Sequence, residues 1–283
     1  MTYIPTYEEV MLFVETVRAV SDYDFTNYSV KSFTRRLEKI ISDYNFTNVK
    51  ELIKKIVADR EFLEKVVKEI TVNTTEFFRD PDVWVYLKQL IREYFFDKEK
   101  LVIWSAGCST GQEVYSMLFL LDMMGLLEKT EIYGTDINED VIEVARAGQY
   151  RVKDVLEYKE NFDIVFDQFT PRPRIEDFFE EDPKKSIFHV KEKYRQIPIF
   201  TTLDLVKRVN IFGKGFDIIM CRNVLIYFEP QLQNQIFEFF YEELNDDGFL
   251  VLGKHESILG DMGMKFRRKD TIYIKKSINH FNW

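Results

Sequence analysis

A chain of 283 residues exceeds one minimal domain and suits a large domain with a smaller companion. Hydrophobic residues at 46% and charged residues at 31% exclude a disordered chain, and no apolar run approaches the roughly 20 residues that span a bilayer. The net charge of −9 argues against nucleic-acid binding. Cys108 and Cys221 lie outside any disulfide or metal-ligand spacing, and Met1 to Val10 lack a signal pattern, so a reducing cytoplasm is expected, with no metal and no membrane insertion.

Residues 1–70 read as helices throughout. Leu52, Ile53, Ile56, Val57, Phe62, Leu63, Val66, Val67 and Ile70 recur at helical spacing, and charges fill the other face. Earlier, Lys31, Arg35 and Lys39 fall at i, i+4 and i+8 with Arg36 beside them, while Phe33, Leu37, Ile40 and Ile41 occupy the opposite side. One helix therefore buries an apolar stripe and presents a basic face, either a solvated surface or a reader of an acidic partner. From about residue 100 short apolar runs alternate with helical patterns. Leu101–Ser105, Glu131–Thr135, Phe216–Cys221 and Phe249–Gly253 read as strands; Glu113–Met124, Glu139–Ala147 and Gln231–Leu244 read as helices. This alternation predicts a mainly parallel sheet covered on both faces. Between Asp154 and Pro198 the rhythm breaks. Aromatic-rich pieces such as Phe162–Phe166 and Ser186–Val190, separated by Pro171, Pro173 and Pro183, point to a small antiparallel insertion or an irregular surface excursion.

The sharpest local feature is Leu101-Val102-Ile103-Trp104-Ser105-Ala106-Gly107-Cys108-Ser109-Thr110-Gly111-Gln112-Glu113. A strand runs into a turn of small residues and then into a helix, so backbone and helix N–H groups can approach a ligand. Without Lys-Ser/Thr after Gly111 it is no phosphate loop. Asp136 ends the next strand, where an acidic side chain can accept from a ribose diol, an arrangement shared by nicotinamide cofactors and S-adenosylmethionine.

Three further strings accompany that loop: Asn73-Thr74-Thr75-Glu76-Phe77-Phe78-Arg79; Phe216-Asp217-Ile218-Ile219-Met220-Cys221-Arg222-Asn223-Val224-Leu225-Ile226-Tyr227-Phe228; and Asp247-Gly248-Phe249-Leu250-Val251-Leu252-Gly253 with His255-Glu256-Ser257. In this order the four resemble the CheR family of chemotaxis-receptor methyltransferases, over nearly the whole chain. The resemblance implies an all-α receptor-recognition domain over residues 1–72. A Rossmann-like S-adenosylmethionine-dependent methyltransferase domain over 73–283 follows, with a β-subdomain inserted at about 154–198. It implies transfer of a methyl group to receptor glutamates, leaving S-adenosylhomocysteine. It places Asn73, Thr75, Arg79, Gly107, Glu113, Asp136, Asp204, Leu205, Arg222 and Asn223 at the cofactor. Glu113 would serve its amino-acid tail, Asp136 its ribose, Asp204 and Leu205 its adenine, and Arg222 and Asn223 its methionine part. The family more often has Asn where Asp204 stands, and Asp still accepts from an adenine amino group. Arg79 and Tyr227 are assigned to the reaction centre; a helix-end ion pair with Asp80 or Glu76, and one more packed ring, are the plainer roles for these two. Lys31, Arg35, Arg36 and Lys39 would meet the receptor.

Some family members also hold a receptor's C-terminal tethering peptide on the β-subdomain; the longer stretch before Phe178, with Pro171 and Pro173, departs from that pattern. Other readings are a methyltransferase acting on another protein or small molecule, an NAD-dependent oxidoreductase, and a cofactor-binding scaffold. A methyltransferase acting on RNA or DNA is disfavoured by the acidic charge and by the lack of the Asn-Pro-Pro-Tyr and Pro-Cys motifs of base methylation, the oxidoreductase has no place for the Asn73–Arg79 and Cys221–Phe228 strings, and Arg79, Asp136 and Tyr227 speak against the scaffold. No heptad seam argues for an oligomer, so a monomer is expected.

Overall fold

Three of the first four helices begin where the sequence supplies an oxygen for their free N–H groups. In the computed structural model, which describes residues 3–71 and 74–277, Thr6 and Glu9 form a reciprocal capping box at α1 (Tyr7–Val20). Asn48 caps α3 (Val49–Ala58) and Asp59 caps α4 (Arg60–Ile70). Ser29 provides no side-chain cap for α2 (Val30–Asp43); the Val30 N–H instead donates to the distant Glu229 carboxylate at 3.3 Å. The chain divides into two compact units, Met1–Val72 with Val224–Ile236, and Asn73–Asn223 with Phe237–Trp283.

In the first unit the apolar stripes of the four helices close on a core of Val10, Phe13, Val17, Phe33, Leu37, Ile40, Leu52, Ile56, Leu63 and Val66. The segment 224–229 is stitched onto the residues ahead of α2. Ser29 N–H donates to the Tyr227 carbonyl at 2.8 Å, Glu229 N–H donates to the Asn27 carbonyl at 2.9 Å, and Tyr28 pairs with Phe228 as an antiparallel bridge with their rings edge to face.

In the second unit, α5 (Pro81–Tyr94) leads to β1 (Leu101–Ala106), α6 (Gln112–Met123), β2 (Thr130–Asp136) and α7 (Glu139–Ala147). Then come β3 (Gln149–Arg151), α8 (Val152–Glu157), α9 (Lys159–Val165), α10 (Ile175–Phe178), β4 (Phe179–Asp182), β5 (Ile187–Val190) and α11 (Glu192–Arg195). The order continues with β6 (Ile199–Thr202), β7 (Phe216–Cys221), α12 (Pro230–Glu243), whose residues up to Ile236 belong to the first unit, β8 (Leu244–Leu252), α13 (Gly260–Met264), β9 (Phe266–Lys269) and β10 (Ile272–Lys275). The seven-stranded sheet has the order β6-β2-β1-β7-β8-β10-β9. Its first five strands are mutually parallel, and β10 is antiparallel to β8 and β9. The central parallel strands β1, β2 and β7 are buried almost end to end, as strands covered on both faces must be. The charge buried within β7, Asp217, is spent on structure: it accepts from the Val102 N–H at 2.9 Å and Asn245 at 2.8 Å, and pairs with Lys98.

The predicted strand–helix alternation is present with small shifts of bounds. The small antiparallel insertion is the three-stranded sheet β3-β5-β4, whose first strand stands just ahead of residue 154. One piece expected within it is different. Phe162 to Val165 lie in helix α9, because Phe162, Val165 and Phe166 at i, i+3 and i+4 bury together against Phe78 and Phe178. Among the described residues no helix is long and apolar enough to cross a membrane.

Candidate active site

Topology fixes where a ligand can enter the sheet. From β1 the chain winds to β2 on one side, and from β7 it winds to β8 on the other, so the crevice opens between the carboxyl ends of β1 and β7. The loop after β1 and the pair Arg222–Asn223 after β7 therefore lie side by side.

The β1 loop is held open by backbone bonds. The N–H groups of Gly107 and Cys108 donate to the Thr135 carbonyl at 2.7 and 2.8 Å, and Ser109 N–H donates to the Asp136 carboxylate at 2.9 Å. Gly111 has φ +90°, and a Cβ there would meet the Ala145 Cβ at 2.8 Å, so the turn into α6 admits only glycine. Tyr150, on the small sheet, pins the turn from below by donating to the Thr110 carbonyl at 2.7 Å. Its ring packs edge to face on Phe77, two residues ahead of Arg79.

Two acidic groups line the crevice. Asp136, 8% exposed, accepts from the N–H groups of Ser109 and Asn138 at 2.9 and 3.0 Å; burial still raises its pKa above the ordinary carboxylate range against the pull of those donors. Leu203 N–H donates to the Asp136 carbonyl at 2.9 Å, which brings Asp204 and Leu205 beside it; the Asp204 carboxylate caps its own turn at Val206 N–H, 3.0 Å. Glu113, in the first turn of α6, accepts from Ser105 Oγ at 2.9 Å and from Arg222 Nη1 at 3.3 Å. Burial raises its pKa, and the Arg222 charge and the Ser105 hydroxyl oppose the rise.

Arg222 organises the far wall. Its Nη2 donates to the Asp80 carboxylate at 2.8 Å and the Arg79 carbonyl at 2.9 Å, and its guanidinium lies 5.9 Å from the Trp84 ring centroid. The Arg79 carbonyl also accepts from Trp84 Nε1 at 2.9 Å, so the backbone of Arg79, not its side chain, anchors this turn. Among the described residues the half-buried Arg79 side chain donates to the Thr74 carbonyl at 3.5 Å, and Thr75 is half-buried in the same turn. Phe78, Asp80, Ser109 and Asn223, all around this crevice, have left-handed backbone with φ 51°, 55°, 49° and 60°. Such a concentration of strain marks a functional loop cluster.

The structure thus brings together Arg79, Gly107, Glu113, Asp136, Asp204, Leu205, Arg222 and Asn223. Asn73 lies outside the described residues. Tyr227 and the basic residues fall in the first unit. There Lys31, Arg35 and Lys39 are exposed on α2 and Arg36 is half-buried; Arg36 and Lys39, with Asp43, Tyr44 and Glu69, line a cleft of about 510 Å³. Ser109, Tyr150 and Glu256 were not singled out as site residues by their local pattern. Ser109 stands within the small-residue run, while Tyr150 and Glu256 act through contacts distant in sequence.

Among the described residues five buried polar atoms have no hydrogen-bond partner, and three of them, Ser109 Oγ, Arg222 Nε and Asn223 Oδ1, flank the crevice. Unsatisfied buried groups at one place, beside two desolvated carboxylates, fit a polar, cationic ligand with several donors and acceptors. S-Adenosylmethionine is such a molecule, with a ribose diol, an ammonium–carboxylate tail and a sulfonium.

Comparison with known proteins identifies the family. Residues 73–274 match the family described as "CheR methyltransferase, SAM binding domain", and residues 8–71 match "CheR methyltransferase, all-alpha domain". The chain is 30% identical over 262 residues to chemotaxis protein methyltransferase 1 of Vibrio cholerae, covering 90% of each chain. It is 30% identical over 259 residues to the chemotaxis protein methyltransferase of Listeria innocua, covering 90% of this chain and 93% of that one. A solved magnesium protoporphyrin IX methyltransferase from Synechocystis PCC 6803 with bound SAM aligns at TM-score 0.37 and 16% identity, over 70% of this chain and 76% of that one. The chain belongs to the CheR methyltransferase family, and its Rossmann-like unit is the S-adenosylmethionine-binding domain of that family.

Proposed function

We propose that this protein transfers the methyl group of S-adenosylmethionine to glutamate side-chain carboxylates in the cytoplasmic methylation region of chemotaxis receptors, giving glutamate methyl esters and S-adenosylhomocysteine. The observation that carries the reading is the match to both family domains together with a crevice of desolvated carboxylates and unpartnered polar atoms at the β1/β7 switch point.

Asp136 would hold the ribose, Glu113 the ammonium of the amino-acid tail, Asp204 and Leu205 the adenine edge. Arg222 and Asn223 would lie under the methionine part, with Asn73, Thr75, Arg79 and Gly107 completing the site. Bound there, the cofactor supplies an electrophilic methyl group on a positively charged sulfur. The acceptor carboxylate is already a nucleophile at neutral pH, so no general base is needed, unlike for a hydroxyl or amine acceptor. The protein's task is then proximity, alignment and exclusion of water. Arg79 would orient the reacting groups; the assignment of Tyr227 to the reaction rests on the family resemblance. The acidic receptor helix meets Lys31, Arg35, Arg36 and Lys39, whose exposed face on α2 suits electrostatic steering. The small sheet leaves β3 and β4 as free edges, the form a tethering peptide needs for strand addition.

Arg79→Ala tests the reaction-centre assignment. The structural anchor here is the Arg79 carbonyl, which alanine keeps. The variant should fold with an unchanged melting temperature and lose on the order of 100-fold in receptor methylation, the scale set by misplaced reacting groups. Turnover like that of the wild type removes Arg79 from the reaction centre.

A further inference from the structure

The His255-Glu256-Ser257 string is left without a task by the assignments above, yet it contains a buried carboxylate next to the crevice. Glu256 is 7% exposed. A single oxygen, Oε2, accepts from the Asn223 N–H at 2.8 Å and from the Gly253 N–H at 2.7 Å. It therefore bridges the second residue beyond the end of β7 and the first residue beyond the end of β8. Glu256 N–H donates back to the Gly253 carbonyl at 3.0 Å, which closes the turn that aims the side chain. No room exists for looser packing: a Cβ on Gly253 would sit 2.8 Å from Glu256 Oε2 and 2.9 Å from both the backbone nitrogen and Nδ2 of Asn223.

What this bridge holds is a strained residue. Asn223 has φ 60°, and its Oδ1 is one of the unpartnered buried atoms of the crevice. A left-handed asparagine persists only where its surroundings over-determine it. An acceptor oxygen shared between its N–H and the Gly253 N–H supplies that constraint.

We propose that Glu256 is a positioning residue for the cofactor: its Oε2 latches Asn223 to Gly253 and so fixes the amide that meets the methionine part. The proposal rests on the assignment of Asn223 to the cofactor site. Its mechanism is geometric. One oxygen performs both contacts, and glutamine retains such an oxygen while alanine does not.

The test is calorimetric titration of the full-length protein with S-adenosylhomocysteine, accompanied by thermal melts. Glu256→Ala should weaken binding by about 10- to 100-fold, the range for a misplaced site group, and Glu256→Gln should restore it to within about threefold of the wild type. At saturating donor, turnover of the alanine variant should return toward that of the wild type, because the defect lies in cofactor KM. If Glu256→Ala does not fold, Gly253→Ala replaces it, since the added methyl group prises the same latch apart, and it too should weaken binding. Wild-type affinity in a folded Glu256→Ala or Gly253→Ala variant overturns the latch. A glutamine variant as weak as the alanine variant also overturns it, because charge rather than position would then be at work. Asp136→Asn separates the latch from the site reading. If Asp136→Asn loses affinity and Glu256→Ala does not, only the latch fails; if neither loses affinity, the site assignment fails with it.

Discussion

Asp136→Asn is the substitution whose effect the structure fixes best. The carboxylate has two loads: it accepts the Ser109 and Asn138 N–H groups at 2.9 and 3.0 Å, and it is the acceptor assigned to the ribose diol. Asparagine keeps one acceptor oxygen and turns an NH2 toward the other N–H, leaving a buried donor unsatisfied at a cost of about 1–3 kcal/mol. Against that loss, burial raises the carboxyl pKa, so the ionised form is itself disfavoured in the empty protein and its removal offsets part of the cost. The melting temperature should therefore fall by only a few degrees, at about 2–4 °C per kcal/mol for a domain of this size. Binding should respond far more. A hydrogen bond from a ribose hydroxyl to a charged acceptor contributes about 1.5–3 kcal/mol, which converts to an affinity loss of about 10- to 150-fold. Calorimetry with S-adenosylhomocysteine reads this directly. The pH profile gives a second check. A raised folded-state pKa means the stability linked to protonated Asp136 and Glu113 is fully present below the ordinary carboxylate range and is lost as pH rises through the raised values. Ligand binding needs the opposite, ionised forms, so affinity should fall on acidification beginning above the ordinary carboxylate range. That fall should be shallower in Asp136→Asn. An unchanged affinity in Asp136→Asn refutes the ribose assignment.

Charge reversal at Arg35 and Arg36 should reduce kcat/KM for receptor fragments by about tenfold or more at low salt, with the gap narrowing as ionic strength rises and donor affinity unchanged. An equal loss of donor affinity would make α2 a structural helix only. Glu131, at the opposite end of β2 from Asp136, tests stability. Burial would raise its pKa, but hydrogen bonds from Lys100, Lys214 and Tyr133 outweigh burial and lower it to about 2. Its contribution is complete above the ordinary value of 4.5 and is lost as pH falls from there to about 2. Glu131→Gln should therefore be less stable than the wild type at neutral pH and converge with it near pH 2 in chemical denaturation.

What the sequence disclosed and what it withheld follow one physical division. The β1 loop, Asp136 at a strand end and the amphipathic α2 were legible because each is a local pattern: small residues where a backbone must approach a ligand, an acid at a strand exit, a basic face at helical spacing. Contacts made across the chain leave no such trace. Arg222 reads as one basic residue after a strand, and only the sheet order makes it the partner of both Glu113 and Asp80. Residues 224–229 follow β7 in sequence, yet backbone bonds tie Tyr227 to Ser29 and Glu229 to Asn27, so Tyr227 belongs with the helical unit. Phe162 to Val165 looked like strand material because aromatics favour strands, but tertiary packing at helical spacing decided otherwise. Glu256 was visible as a motif, and its task appeared only when the ends of β7 and β8 were seen side by side.

The most direct test of the central claim is to incubate the protein with S-adenosylmethionine and the cytoplasmic fragment of a chemotaxis receptor from the same organism, then locate added methyl groups by peptide mass spectrometry. The account predicts base-labile methyl esters on glutamates of the receptor's helical region and stoichiometric S-adenosylhomocysteine. Donor binding without any methylated glutamate, or methyl groups on lysine, another side chain or a small molecule instead, would contradict it.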